Sequence, residues 1–208
     1  MKSNMSLVMS PPVPDVARRV LQLQMFTIIW MSVEAAVSLG AAWTSRSPAL
    51  LAFGGDSAIE LLSAAVVFWR FRSNSSPSRT EKRAARIAGG LLFALASYVA
   101  LVSVLSFLGY REAQPSIVGI VLLVLAGIVM PWLASQKRKL AILTSSASLK
   151  ADAVESALCG YLAWIALAGL AANAIWGKSW ADPVAALALT PLILREGWEA
   201  IQTSPEVL

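Results

Sequence analysis

The sequence predicts an all-α polytopic membrane protein, a bundle of six transmembrane helices, and three observations predict it. Of 208 residues, 57% are hydrophobic and only 14% charged, and the mean hydropathy is +0.67. Soluble domains keep about a quarter of their residues charged, so lipid must cover much of this chain. Apolar runs recur six times, and at about 20 residues per crossing they take up about 120 residues, leaving only short loops and tails. The third observation is that lysine and arginine sort by loop in alternation, as positive residues do on the two sides of a membrane.

Residues 1–17 contain the stretch MKSNMSLVMSPPVPD, with three prolines and no apolar segment of signal-peptide length. They are expected as a disordered cytoplasmic tail. Residues 18–202 are expected to form the transmembrane domain and 203–208 a short terminal tail. The first apolar run extends from about Leu21 to Trp43 and the second from about Ala49 to Trp69, joined by the turn signal TSRSP; together they read as a helical hairpin. A polar, basic stretch, SNSSPSRTEKRAAR, makes the longest expected loop before the third run, Ile87 to Gly109. The segment Tyr110 to Pro115 turns the chain into the fourth run, Ile117 to Ala134, which the basic cluster Lys137, Arg138 and Lys139 closes. The fifth run spans Ala151 to Trp176. After GKSWADP the sixth, Pro183 to Leu194, is short and contains Pro191, with Trp180 and Trp198 placed as interfacial anchors.

Fourteen basic residues fall in the first tail, the second and fourth loops and the C-terminal segment: Lys2, Arg18, Arg19, Arg70, Arg72, Arg79, Lys82, Arg83, Arg86, Lys137, Arg138, Lys139, Lys150 and Arg195. The other three loops hold only Arg46, Arg111 and Lys178. That split requires an even number of spans with both termini cytoplasmic. The net charge of +5 therefore reads as a topology signal; the basic residues form no aromatic-interleaved patch of the kind that binds nucleic acid. Cys159 is the only cysteine and histidine is absent. A disulfide within the chain, a CxxC metal site and imidazole chemistry are thereby excluded, and any site rests on carboxylates.

Five acids fall inside expected spans: Glu34 in the first, Asp56 and Glu60 in the second, Asp152 and Glu155 near the start of the fifth. A charged carboxylate at mid-membrane costs roughly 2.5–3.5 kcal/mol on insertion scales, so such residues face a cavity or a partner. Asp56 and Glu60 are four apart and stand one turn above the other on one helix face. Two anions placed so repel; in the absence of a cation the pair holds a proton, and a divalent metal displaces it. Asp152 and Glu155, three apart, can face that pair across a helix interface, with Ser148 and Cys159 on the same stripe. The candidate metal ligands are thus Asp56, Glu60, Asp152 and Glu155. Plainer readings apply to the rest. Glu34 is a supporting residue, Cys159 a small buried apolar residue, and Asp182, just before Pro183, a helix cap. No lysine or arginine falls within the apolar parts of these spans to neutralise the acids, unless Lys150 reaches in.

The stretch SPALLAFGGDSAIELLSAAVVFWRF, Ser47 to Phe71, resembles the first loop and second helix of the cation diffusion facilitator (cation efflux) family, whose [HD]-x-x-x-D motif here reads Asp56-x-x-x-Glu60. SLKADAVESALCGYLAW, Ser148 to Trp164, resembles the family's fifth helix, and WADPVAALAL the start of its sixth. The histidine of the second motif falls on Ser148, with Asp152 as the matching ligand. No counterpart of the family's cytoplasmic metal-binding domain follows the sixth helix, so the likeness is to the short form. The resemblance implies a fold of the cation efflux transmembrane-domain type. It further implies a homodimeric antiporter of the plasma membrane that exports a divalent cation, typically zinc, from the cytoplasm in exchange for protons. The metal is cargo bound transiently, and no resident cofactor is expected.

Two other classes compete. An intramembrane aspartyl protease is suggested by Asp56 and Asp152, but the local sequence is Phe53-Gly54-Gly55-Asp56 where that chemistry uses G-x-G-D, and it leaves Glu60 without a role. A non-transporting metal-sensing or scaffolding membrane subunit is the alternative that transport assays separate. All-oxygen ligation predicts weak discrimination against manganese, iron or magnesium.

Overall fold

A computed structural model describes residues 14–73, 79–110, 112–144 and 147–202 of the chain. All regular structure among the described residues is helical: α1 (Pro14–Ser45), α2 (Pro48–Ser73), α3 (Arg79–Phe107), α4 (Ile117–Thr144), α5 (Ala147–Trp176) and α6 (Ala181–Gln202). Each helix outruns its apolar stretch. α1 starts at Pro14, inside the segment expected as tail, with proline in the first turn, where its missing N–H is no loss. α3 begins at Arg79, so most of the expected long loop is helix. α4 continues through Lys137, Arg138 and Lys139 to Thr144. The basic residues expected to close the fourth span are therefore helical, and their side chains take positions set by the 3.6-residue period.

Four helices carry segments long and apolar enough to cross a membrane: Arg18–Ser45, Arg86–Phe107, Ile117–Thr144 and Asp152–Trp176. Of the other two, α2 is on average more apolar than α1 or α3 even with Asp56 and Glu60, and α6 carries Asp182, Arg195, Glu196 and Glu199. At 1.5 Å per residue they are still about 39 and 33 Å long, enough for a hydrocarbon layer of about 30 Å.

Sharp reversals join the helices. Arg46 closes α1 in the left-handed conformation (φ 54°), a place more often held by glycine, and the Ser47 N–H donates back to the Ala42 carbonyl at 3.3 Å. Ser47 then caps α2, its hydroxyl accepting from the Leu50 N–H at 3.1 Å, and Pro48 fills the first helical position. Ser116 repeats the device for α4, accepting from the Gly119 N–H at 3.1 Å. Three connections meet at one end of the bundle. The Gln114 N–H donates to Ser45 O at 2.7 Å, Asn173 Nδ2 donates to Ala113 O at 2.9 Å, and the Ser47 hydroxyl donates to Asp182 Oδ2 at 2.5 Å. The helices thus alternate in direction, and the first turns of α1, α3 and α5 lie with the last turns of α2, α4 and α6 at the opposite end.

All six helices contribute to the core, with its largest side chains coming from α2, α4, α5 and α6, among them Leu50, Phe53, Leu123, Met130, Leu133, Leu162, Leu170, Leu189 and Ile193. Fully buried alanines at 52, 96, 126, 163, 166 and 186 let the helix backbones approach one another. The outward faces carry large apolar residues such as Ile29, Leu101, Ile128 and Tyr161, a surface suited to lipid. Two glycine contacts set the acids in place. A Cβ at Gly54 would lie within 3.0 Å of the Leu39 backbone N, so this residue lets α2 press against α1 two residues before Asp56. At Gly89 a Cβ would come 2.7 Å from the Gly197 carbonyl, so α3 and α6 touch backbone to backbone beside Glu196. Gly90, next in sequence, faces open space.

Candidate metal centre

Asp56 is fully buried on α2, and Glu60 stands one turn further along the same helix, half-buried. Glu196 of α6 joins them: one carboxylate oxygen from each of Asp56, Glu60 and Glu196 lies within 4.8 Å of the others. Both oxygens of Asp56, Oε1 of Glu60 and Oε1 of Glu196 meet no hydrogen-bond donor. Among the described residues no lysine or arginine pairs with any of the three; the neighbouring Arg195 is committed to Glu199, Nε to Oε1 at 2.8 Å.

Glu34 on α1 is also fully buried with neither carboxylate oxygen partnered, and it lies within electrostatic reach of Asp56 and Glu60. Cys159, fully buried on α5, lies within electrostatic reach of the same three acids. The site is therefore a desolvated pocket rich in carboxylate oxygen and, among the described residues, without a compensating cation. Such an arrangement is costly unless protons or a metal occupy it.

Asp152 is placed differently. Lys137, whose side chain is wholly buried, donates from Nζ to Asp152 Oδ1 at 2.8 Å and to Ser156 Oγ at 2.9 Å. Gln24 Nε2 of α1 donates to Asp152 Oδ2 at 2.6 Å. No neutralising cation is expected from the sequence apart from Lys150, yet Lys137 neutralises an intramembrane acid, because residues Leu133, Ala134, Lys137 and Ala141 form the inward stripe of α4. Glu155 is exposed on α5 and lies outside the three-carboxylate cluster, though within electrostatic reach of Asp56, Glu60 and Glu196 as well as of Asp152, Lys137 and Glu199. The side chain of Ser148 is outside the described residues. Asp182 does not cap its own helix: its Oδ1 accepts from the Ala49 N–H at 3.0 Å and its Oδ2 from Ser47, so it caps α2 from across the bundle.

Glu196 is the residue that sequence reasoning missed. A signal was present, since Leu189, Ile193 and Glu196–Gly197 continue one helical stripe. The sequence there offers Arg195 as a topology signal and Trp198 as an interfacial anchor, and nothing in the spacing of Glu196 points to Asp56.

Buried carboxylates converging without a counter-ion inside a polytopic helical bundle define a membrane protein that handles cations. The chain belongs to the cation efflux family, its sequence matching the cation efflux transmembrane domain over residues 25–208. It is a cation transporter of the membrane, built on that domain's helical bundle. No curated protein matches the chain significantly.

Proposed function

We propose that the protein exchanges a divalent metal cation for protons, with the metal held by Asp56, Glu60 and Glu196. The observation that carries this reading is the convergence of three carboxylate oxygens within 4.8 Å, buried and without donor or counter-cation. A divalent ion cancels the mutual repulsion of these acids; when it leaves, protons take its place. Metal and protons then compete for the same oxygens, which is the requirement for exchange. Alternating access is rocking of helices around this fixed site, with α6 carrying Glu196 against the α2 pair.

The asymmetry of basic residues favours a cytoplasmic location for both termini, and the family likeness favours the plasma membrane. In that orientation Glu155 and Glu199 continue the line of acids from the cluster toward the cytoplasm and serve as the entry path. Zinc remains the cargo that family likeness favours, and the same likeness favours a homodimer. The donor set widens the range: with carboxylates and no imidazole, manganese and other oxygen-seeking divalent ions bind comparably.

The test is uptake into proteoliposomes under an imposed pH gradient, with zinc and manganese each as sole divalent ion. Glu196→Gln and Asp56→Asn should each abolish uptake while leaving a folded, monodisperse protein in detergent. Normal uptake by both variants sinks the site assignment, and uptake indifferent to the pH gradient sinks the exchange.

A further inference from the structure

Glu34 is the only acid in the apolar part of α1, Arg18–Ser45, and the fold gives its carboxylate no partner. The residue has no exposure, and neither carboxylate oxygen meets a donor. The Trp30 indole N–H, one turn back on the same helix, lies beside it and is itself without an acceptor. Ser38, one turn onward, is by contrast complete, its hydroxyl donating to the Glu34 main-chain carbonyl at 2.6 Å. The packing of α1 on α2 fixes the height of Glu34 in the bundle. A Cβ at Gly54 would collide with the Ser38 hydroxyl and lie 3.0 Å from the Leu39 backbone N, so Ser38 and Gly54 stand side by side. The two helices run antiparallel. Four residues back along α1 and four forward along α2 therefore bring Glu34 level with Ala58, between Asp56 and Glu60. Both of those acids lie within its electrostatic reach.

We infer that Glu34 is a further carboxylate ligand, delivered by α1, which turns onto the metal held by Asp56, Glu60 and Glu196. This rests on the ligand assignment proposed above. Glu34 stands outside the group of three oxygens within 4.8 Å, and a change of side-chain rotamer brings its carboxylate in without moving α1. Charge draws it there. A divalent ion replaces the mutual repulsion of these acids with a shared attraction, and oxygen sites gain affinity with each charged ligand. Three carboxylates also leave positions open on an ion that takes about four to six ligands. Without the ion, Glu34 is a buried polar group that nothing completes, which is costly. With it, α1, α2 and α6 close on one centre, and the helix that carries Glu34 moves with the metal.

The experiment titrates the detergent-purified full chain with manganese and with zinc. Glu34→Gln and Glu34→Asp should each lower affinity about tenfold for both ions. The aspartate is the sharper probe: it keeps the charge and withdraws the carboxylate by one methylene, so a contact is lost while a field acting at a distance is kept. Manganese bound to Glu34→Asp should also carry an additional exchangeable water relative to the native chain, counted by pulsed electron paramagnetic resonance in heavy water, because water fills the vacated position. Native affinity in Glu34→Asp alongside a loss in Glu34→Gln, or an unchanged water count, makes Glu34 a charge that never touches the ion and overturns the inference. Native affinity in both variants overturns it too. Folding supplies a second readout. Glu34→Gln removes an uncompensated buried charge, so the metal-free melting temperature should hold or rise; a marked fall, or failure to fold, makes Glu34 a structural acid and overturns the inference as well. Normal binding by Asp56→Asn and Glu196→Gln is a different failure: it refutes the three-carboxylate site itself, whereas failure of the Glu34 variants alone leaves that site standing.

Discussion

Asp182 and Asp56 are both fully buried aspartates, and the chain treats them in opposite ways. Around Asp182 every carboxylate oxygen is answered, Oδ2 by the Ser47 hydroxyl at 2.5 Å and Oδ1 by the Ala49 N–H at 3.0 Å. The first turn of α2 is thereby capped by a residue from α6, and three interhelical connections are stitched together at that end of the bundle. Around Asp56 neither oxygen meets a donor, and the nearest charged groups are other acids. Burial alone therefore says little about the role of a carboxylate in this bundle. What distinguishes fold from function is whether the surroundings complete its hydrogen bonds, since a buried charge left incomplete is tolerated only where something outside the protein completes it.

The sharpest way to break this contrast is Asp56→Asn. Removing one charged ligand of three should lower divalent-ion affinity about a hundredfold, equivalent to about 2.7 kcal/mol. Because it also removes an uncompensated buried charge, thermal stability without metal should stay level or rise. Isothermal titration and a thermal melt on the same preparation check both halves. A fall in melting temperature without loss of affinity makes Asp56 a structural acid like Asp182.

Acidification comes next in size. Each carboxylate of the cluster that is protonated in the metal-free state must lose its proton when the ion binds, so binding releases protons and weakens as pH falls. Release of one proton makes affinity drop about tenfold per pH unit, and release of two about a hundredfold. Repeating the titration across a pH series, with proton release read from buffers of different ionisation enthalpy, gives the count directly. A pH-independent affinity removes the basis for exchange.

For Asp182→Ala the expected loss lies in stability. The Ser47 hydroxyl and the Ala49 N–H lose their acceptor in a buried setting, which costs about 1–3 kcal/mol for each group left unsatisfied. Metal affinity should move by less than about threefold, or about half a decade on the scale of 1.4 kcal/mol per tenfold. Asp182→Asn keeps one acceptor oxygen and should fall between Asp182→Ala and the native chain in a thermal melt.

How much of this was legible beforehand follows from the range of the interactions concerned. The six helices and the α1–α2 hairpin follow from apolar run length and from Ser47 and Pro48, which act within a turn. The pairing of Asp56 with Glu60 is likewise a matter of four residues on one helix. Glu196 is 136 residues beyond Glu60 and reaches it only because α3 and α6 meet at Gly89 and Gly197 while α6 also packs on α2. No local rule encodes that meeting. Lys137 is an intermediate case: it reads as one of three basic residues closing a span, and its inward position becomes visible only once α4 is known to continue, in phase with Leu133 and Ala141. Asp152, expected beside Asp56, pairs with that lysine instead.

The smallest expected effect tests whether the long-range contact that brings Glu196 to Asp56 is tuned or incidental. Gly89→Leu places side-chain atoms where the Gly197 carbonyl now sits 2.7 Å from a would-be Cβ, and backbone cannot yield as a flexible side chain does. Overpacking of this kind costs about 1–3 kcal/mol. Part of it should be relieved by α6 moving away from α3, carrying Glu196 with it, so metal affinity should fall by a few-fold, roughly 1 kcal/mol or less. Gly90→Leu, one residue along but facing open space, supplies the matched control: it makes the same change in helix propensity without the clash. If the two variants bind metal equally, the α3–α6 contact does not position Glu196, and the third ligand is held from the α2 side alone.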